Sequence, residues 1–200
     1  TTGVVTATLA ADSLSNLGSL TTAGTDAITI TVNDADAASV TAANLSTLGG
    51  KTSGTVTVTN AVAISGSRAE ATAALVTTGS LVEVSDAAVT INDADGVALN
   101  ATDLSAIGAK TTGTVTVTNA VAISGSRAEA TAALVTSGSL VEVSDATVTI
   151  NDADGAALNA TDLSAIGAKT TGTVTVTNAV AISGNTSEVT AALVTSGSLV

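Results

Sequence analysis

Apolar and polar residues alternate through Thr55, Val56, Thr57, Val58 and Thr59, and again through Val89, Thr90 and Ile91. A period of two carried by β-branched residues predicts a half-buried strand, with Val and Ile turned inward and Thr outward. Asn60 and Asp93 close the two strands at matching positions. Each strand leads into a segment of helical character. In the first, Ser67 and Glu70 form an S-x-x-E capping box ahead of the Ala-rich stretch 68–76, and Gly79 stands as the C-terminal stop. In the second, Asn100 and Asp103 take the cap and N3 positions, Leu104 and Ile107 share one side, and Lys110 lies near the C-terminus, where the helix dipole favours a cation. Such helices run about two turns and need lateral packing to persist.

The pattern repeats. Thr55–Asn60 recurs 59 residues on at Thr114–Asn119, and after the same interval at Thr173–Asn178. Residues 54–77 return letter for letter at 113–136, and residues 98–113 at 157–172. Repetition at this period is the signature of stacked architectures, in which each unit buries its apolar face against the next. Each period divides into two halves, roughly 55–86 and 87–113, each a strand, a short helix and two turns. The expected fold is therefore α/β: a repeat solenoid with one long parallel sheet and short helices on the opposite wall. An all-β solenoid, with the Ala-rich segments as further strands, is the alternative; Ala, Glu and Arg at 68–74 favour helix. The whole chain, 1–200, is expected to form a single continuous solenoid with units at about 1–54 (shortened), 55–113, 114–172 and 173–200 (partial). Thr1-Thr2-Gly3 matches Thr111-Thr112-Gly113, and the first unit is shorter by about nine residues. Neither end carries a polar capping repeat, which predicts either an excerpt of a longer repetitive chain or ends that meet neighbouring subunits.

Composition narrows the chemistry. The chain has no Cys, His, Met, Pro, Phe, Tyr or Trp, so its 45% hydrophobic content is Ala, Val, Leu and Ile. These residues fill a thin core. Ser-His-Asp and Cys-His nucleophile pairs, the usual zinc sites and disulfides are all excluded, and so are aromatic stacking platforms. A net charge of −12 repels phosphate backbones, so nucleic acid is not an expected partner. Mean hydropathy is +0.55, yet Thr, Ser, Asn or Asp interrupts the apolar residues every few positions, and no membrane span is expected.

Four groups of residues are candidates for a site. Asp34 and Asp36, Asp93 and Asp95, and Asp152 and Asp154 lie in Asn-Asp-Ala-Asp turns whose spacing resembles part of a calcium loop. The competing reading is a polar turn in which each carboxylate bonds local backbone amides. Outward Thr residues on stacked strands (Thr55, Thr57, Thr59, Thr90, Thr114, Thr116, Thr118, Thr149, Thr173, Thr175, Thr177) would form ranks like those of ice-binding solenoids, although Ala88 and Asn92 beside Thr90 interrupt them. Asn44, Asn100, Asn159 and Asn185 match the N-glycosylation acceptor pattern, with helix capping favoured at Asn100 and Asn159. Lys51, Lys110, Lys169, Arg68 and Arg127 recur with the repeat and read as scaffold, since an active site is normally built once. No catalytic residue is expected.

The segments Ile64-Ser65-Gly66-Ser67-Arg68-Ala69-Glu70 and Leu99-Asn100-Ala101-Thr102-Asp103-Leu104 through Thr111-Thr112-Gly113 resemble the tandem repeats of very large cyanobacterial and marine-bacterial surface or secreted proteins. That resemblance implies an extracellular or cell-surface setting and no catalytic role. The expected function is a structural fibre, surface-layer or stalk segment that self-associates end to end with copies of itself. The alternative is a binding module: a calcium-stiffened adhesin spacer or an ice-binding solenoid.

Overall fold

The structure, a computed structural model, describes residues 3–197 and 200. Thr1 and Thr2, part of the Thr-Thr-Gly correspondence, lie outside the described residues. The chain is α/β, with parallel strands and seven short helices among the described residues. It divides into two compact units, residues 1–91 with 110–115, and residues 92–109 with 116–200.

The first unit holds β1 (Thr6–Thr8), α1 (Leu14–Leu17), β2 (Ala27–Val32), β3 (Ser39–Thr41), α2 (Ala42–Gly49), β4 (Val56–Val58), β5 (Ala63–Gly66), α3 (Arg68–Leu75), β6 (Val82–Glu83) and β7 (Ala88–Ile91). Its strands form two parallel ladders. One runs β1-β2-β4-β6, with Ile30 opposite Val56 and Val56 opposite Val82. The other contains β3, β5 and β7, with Val40 opposite Ile64 and Ile64 opposite Val89. Inward residues therefore meet in apolar ranks, and Ile30, Val32, Ile64 and Ile91 are almost wholly buried. The helices pack beside these ladders. Ala42, Ala71 and Ala74 are fully buried where α2 and α3 approach each other. Each buried Leu or Ile contributes roughly 2 kcal/mol, which is why two-turn helices survive here.

The second unit holds β8 (Ala98–Asn100), α4 (Ala101–Gly108), β9 (Val115–Val117, whose first residue belongs to the other unit), β10 (Ala122–Gly125), α5 (Arg127–Leu134), β11 (Val141–Glu142), β12 (Thr147–Ile150), β13 (Ala157–Asn159), α6 (Ala160–Gly167), β14 (Val174–Val176), β15 (Ala181–Ser183) and α7 (Thr186–Leu193). One parallel ladder runs β8-β10-β12-β14, with Leu99, Ile123, Val148 and Val174 in a single rank. β9 neighbours β11, and β13 pairs with β15.

Several expectations are met. The strands at Val56–Val58 and Ala88–Ile91 form with Val and Ile inward, and pairing is parallel. The Ser67–Glu70 capping box is complete, with both reciprocal bonds, and recurs at Ser126 and Glu129. Helices at Arg68–Leu75 and Arg127–Leu134 set aside the all-β alternative.

Others are corrected. The strands do not form one sheet, because the Ala-Ile-Ser-Gly and Ala-Leu-Asn segments make additional strands at β5, β8, β10 and β13. These are three- and four-residue strands with little alternation to mark them. Helix α3 ends with Val76 as its C-cap, three residues before Gly79, whereas in α4 Asn100 is the N-cap, Asp103 the third residue and Lys110 the residue after the C-cap Ala109, as expected.

Candidate functional site

The Asn-Asp-Ala-Asp turns are the densest acidic features, and the structure uses them as latches between segments about 25 residues apart. The first carboxylate of a turn reaches back to a helix start: Asp34 Oδ2 accepts from the Leu14 amide at 2.7 Å, and Asp152 Oδ2 from the Arg127 amide at 2.6 Å. These are the first helical N–H groups, which have no partner inside the helix, and a carboxylate there also meets the positive end of the helix dipole. The second carboxylate reaches forward. Asp36, Asp95 and Asp154 accept from the amides of Ala61, Ala120 and Ala179 at 3.0–3.1 Å.

The Asn residue that closes the next strand completes the latch. Asn60, Asn119 and Asn178 donate from Nδ2 to the main-chain oxygens of Asp34, Asp93 and Asp152 at 2.6–2.7 Å. The turn itself needs a left-handed residue at its fifth position. Gly96 and Gly155 supply it at φ 74° and 78°, whereas the first copy places Ala37 there at φ 59°. Among the described residues, no three acidic side chains gather as a set of cation ligands. The carboxylates of Asp34, Asp36, Asp95, Asp152 and Asp154 accept main-chain N–H bonds.

A second latch lies at the Thr-Ser-Gly and Thr-Thr-Gly corners. Thr52 is buried, and its Oγ1 accepts from the amides of Ile28 at 2.8 Å and Gly54 at 2.9 Å. Its proton reaches the carbonyls of Asp26 and Ile28, both at 2.8 Å. Thr111 and Thr170 donate in the same way to the carbonyls of Ala87 and Ala146. The signal available in the sequence was the recurrence of Thr-x-Gly before β4, β9 and β14.

The Thr ranks are mixed. The ladder aligns Thr41, Ser65 and Thr90 in the first unit, and Asn100, Ser124, Thr149 and Thr175 in the second. Ser65, Thr90, Ser124 and Thr149 are half-buried, and Thr57 lies between Thr31 and Glu83. A continuous array of exposed Thr is therefore not formed within either ladder.

Asn100 and Asn159 do occupy N-cap positions, but neither side chain makes the capping bond, whereas Asn185 does, to the Glu188 amide. Asn44 lies inside α2, where its amide donates to Thr41. Lys51 Nζ donates to the carbonyls of Gly18 and Leu20 at 2.7 Å, capping the end of α1. In the second unit Arg127 Nη1 meets Asp162 Oδ2 at 2.7 Å, and Thr102 donates to Glu129. Hydrogen bonds from the Ser126 amide, the Thr102 hydroxyl and the Ser126 hydroxyl hold the Glu129 carboxyl below the usual glutamate range. Asp12 is likewise lowered, by the Asn16 side chain and the Ser13 amide.

No family model matches the chain, and neither a curated protein nor a solved structure is similar to it by comparison. No helix among the described residues is long and apolar enough to cross a membrane.

Proposed function

We propose that the chain is a non-catalytic structural segment of an extracellular or cell-surface fibre, stalk or surface layer, built as a solenoid of strand–helix coils. Its activity is mechanical. Each coil buries the apolar ranks of the one before, and an end left open recruits another copy of the same repeat.

The observation that carries this reading is the recurring latch: Asn60 to Asp34, Asn119 to Asp93 and Asn178 to Asp152, each joining residues 26 apart. A bond copied in every repeat between one coil and the next serves continuity along an axis. The acidic surface, with a net charge of −12, suits a solvated coat that does not adhere to nucleic acid. The repeat resemblance to large bacterial surface proteins supports the extracellular setting.

Negative-stain microscopy of the native material tests the reading. Continuous filaments or rods of uniform width are expected; separate globules on flexible tethers would sink it.

A further inference from the structure

We propose that Asp95-Gly96 and Asp154-Gly155 are covalent modification sites, where the main chain isomerises to isoaspartate once the hydrogen bonds to Ala120 and Ala179 open. Asp-Gly occurs at these two places alone in the chain, and Asn-Gly nowhere. Such a pair carries its own reactants. The glycine nitrogen can attack Cγ of the aspartic acid, because no Cβ crowds its approach. A C–N bond forms, one carboxyl C–O bond breaks, and that oxygen leaves with the amide and carboxyl protons as a water. Water then opens the cyclic imide at either carbonyl. One opening restores aspartate; the other leaves isoaspartate, whose main chain runs on through Cβ and Cγ.

The fold holds the two reactants apart with a single residue. Ala120 donates its amide to Asp95 Oδ1 at 3.0 Å and accepts the Gly96 amide on its carbonyl at 2.8 Å. Ala179 does the same for Asp154 Oδ1 at 3.1 Å and the Gly155 amide at 2.7 Å. Asp95 therefore cannot turn onto the Gly96 nitrogen without releasing the Ala120 amide. Asp12 shows the other arrangement: Asn16 holds its Oδ1, which lies back on the following amide, that of Ser13, at 2.7 Å. Asp95, Gly96, Asp154 and Gly155 are exposed, and nothing stands within 4 Å of where a Cβ on either glycine would be. Water thus has access to a ring formed there.

The first turn is an internal control. Ala61 clasps Asp36 and Ala37 through the same two bonds, at 3.1 and 2.8 Å, but Ala37 sets a methyl group beside the attacking nitrogen. The product also cannot return to the clasp. Isoaspartate inserts Cβ into the main chain between Asp95 and Gly96, so the carboxylate and the Gly96 amide no longer match the two sides of Ala120. Each conversion is a lasting mark that the turn has opened, and it forms whether or not the chain is part of a fibre.

The test incubates the 200-residue chain in heavy-oxygen water, folded and in denaturant, and reads label and isoaspartate at each aspartate by peptide mass spectrometry. Asp95 and Asp154 are expected to convert roughly thirtyfold more slowly in the folded chain, the factor that two net hydrogen bonds supply. In denaturant Asp36 is expected to lag behind both. Ala120→Pro, which deletes the amide that holds Asp95, is expected to speed conversion at Asp95 while Asp154 keeps its folded rate. If Asp154 speeds up as well, that variant has unfolded, and Asn119→Ala replaces it. This second change removes the bond to the Asp93 carbonyl, keeps Ala120, and is expected to raise conversion at Asp95 alone about fivefold. Equal rates in the folded and unfolded chains would overturn the proposal. So would conversion at Asp36 as fast as at Asp95, or no rise at Asp95 in a variant that stays folded.

Discussion

A Cβ on Gly113 would stand 2.3 Å from the carbonyl oxygen of Ala87, on the neighbouring segment of the first unit. Gly54 meets Ile28 at 2.4 Å and Gly172 meets Ala146 at 2.3 Å in the same way. These contacts are with backbone, which cannot swing aside. They bring the corner close enough for the Thr52, Thr111 and Thr170 hydroxyls to reach across. Gly54→Ala and Gly113→Ala are expected to lose roughly 2–3 kcal/mol in chemical denaturation, the cost of overpacking a closed contact. Gly138→Ala, where nothing lies within 4 Å, is expected to change stability by less than about 1 kcal/mol. Equal losses at Gly113 and Gly138 would show that the close approach is not what these glycines serve.

Ala37 holds a left-handed conformation that Gly96 and Gly155 hold in the other two turns. A side chain there costs about 1 kcal/mol relative to glycine. Ala37→Gly is expected to raise stability by about that amount, and Gly96→Ala to lower it by a similar amount, both read from denaturation midpoints at unchanged slope.

The carboxylates of Asp34, Asp36, Asp95, Asp152 and Asp154 accept main-chain N–H bonds. Melting temperature is therefore expected to be the same with a calcium chelator as with millimolar calcium. A chelator-induced fall of several degrees would favour the calcium-stiffened alternative. Asp152→Asn, which keeps an acceptor but removes the charge beside the start of α5, is expected to cost about 1 kcal/mol.

The lowered pKa of Glu129 gives a pH dependence of definite sign. A carboxyl whose folded pKa lies below its unfolded one binds fewer protons when folded. Its contribution is present above the ordinary glutamate value of 4.5 and is lost as pH falls through the lower folded value. Thermal stability is expected to decline on acidification from pH 4.5 downward. Glu129→Gln is expected to flatten that decline. A variant profile parallel to that of the original chain would remove Glu129 from the account.

Several elements were legible because their signals are local. The Val-Thr-Val alternation marked β4, β9 and β14, and the Ser-x-x-Glu box marked α3 and α5, since strand pleat and helix cap each depend on residues within a turn of one another. The cap at Asn100 was legible as a position but not as a bond. Whether its side chain turns back to the helix depends on what surrounds it. Strands such as Ala98–Asn100 were not legible, because they are too short for a period and exist only through the parallel partner that supplies their hydrogen bonds.

The sequence by itself determined the repeat, the inward and outward residues of the longer strands, and the chemistry the chain cannot perform without His, Cys or aromatic rings. These follow from residue type and spacing alone. Only the tertiary structure decided that the acidic turns and the Thr-x-Gly corners are latches. Each joins residues about 25 positions apart, and a carboxylate or hydroxyl reads the same in sequence whether its partner is a cation, water or the amide of another segment.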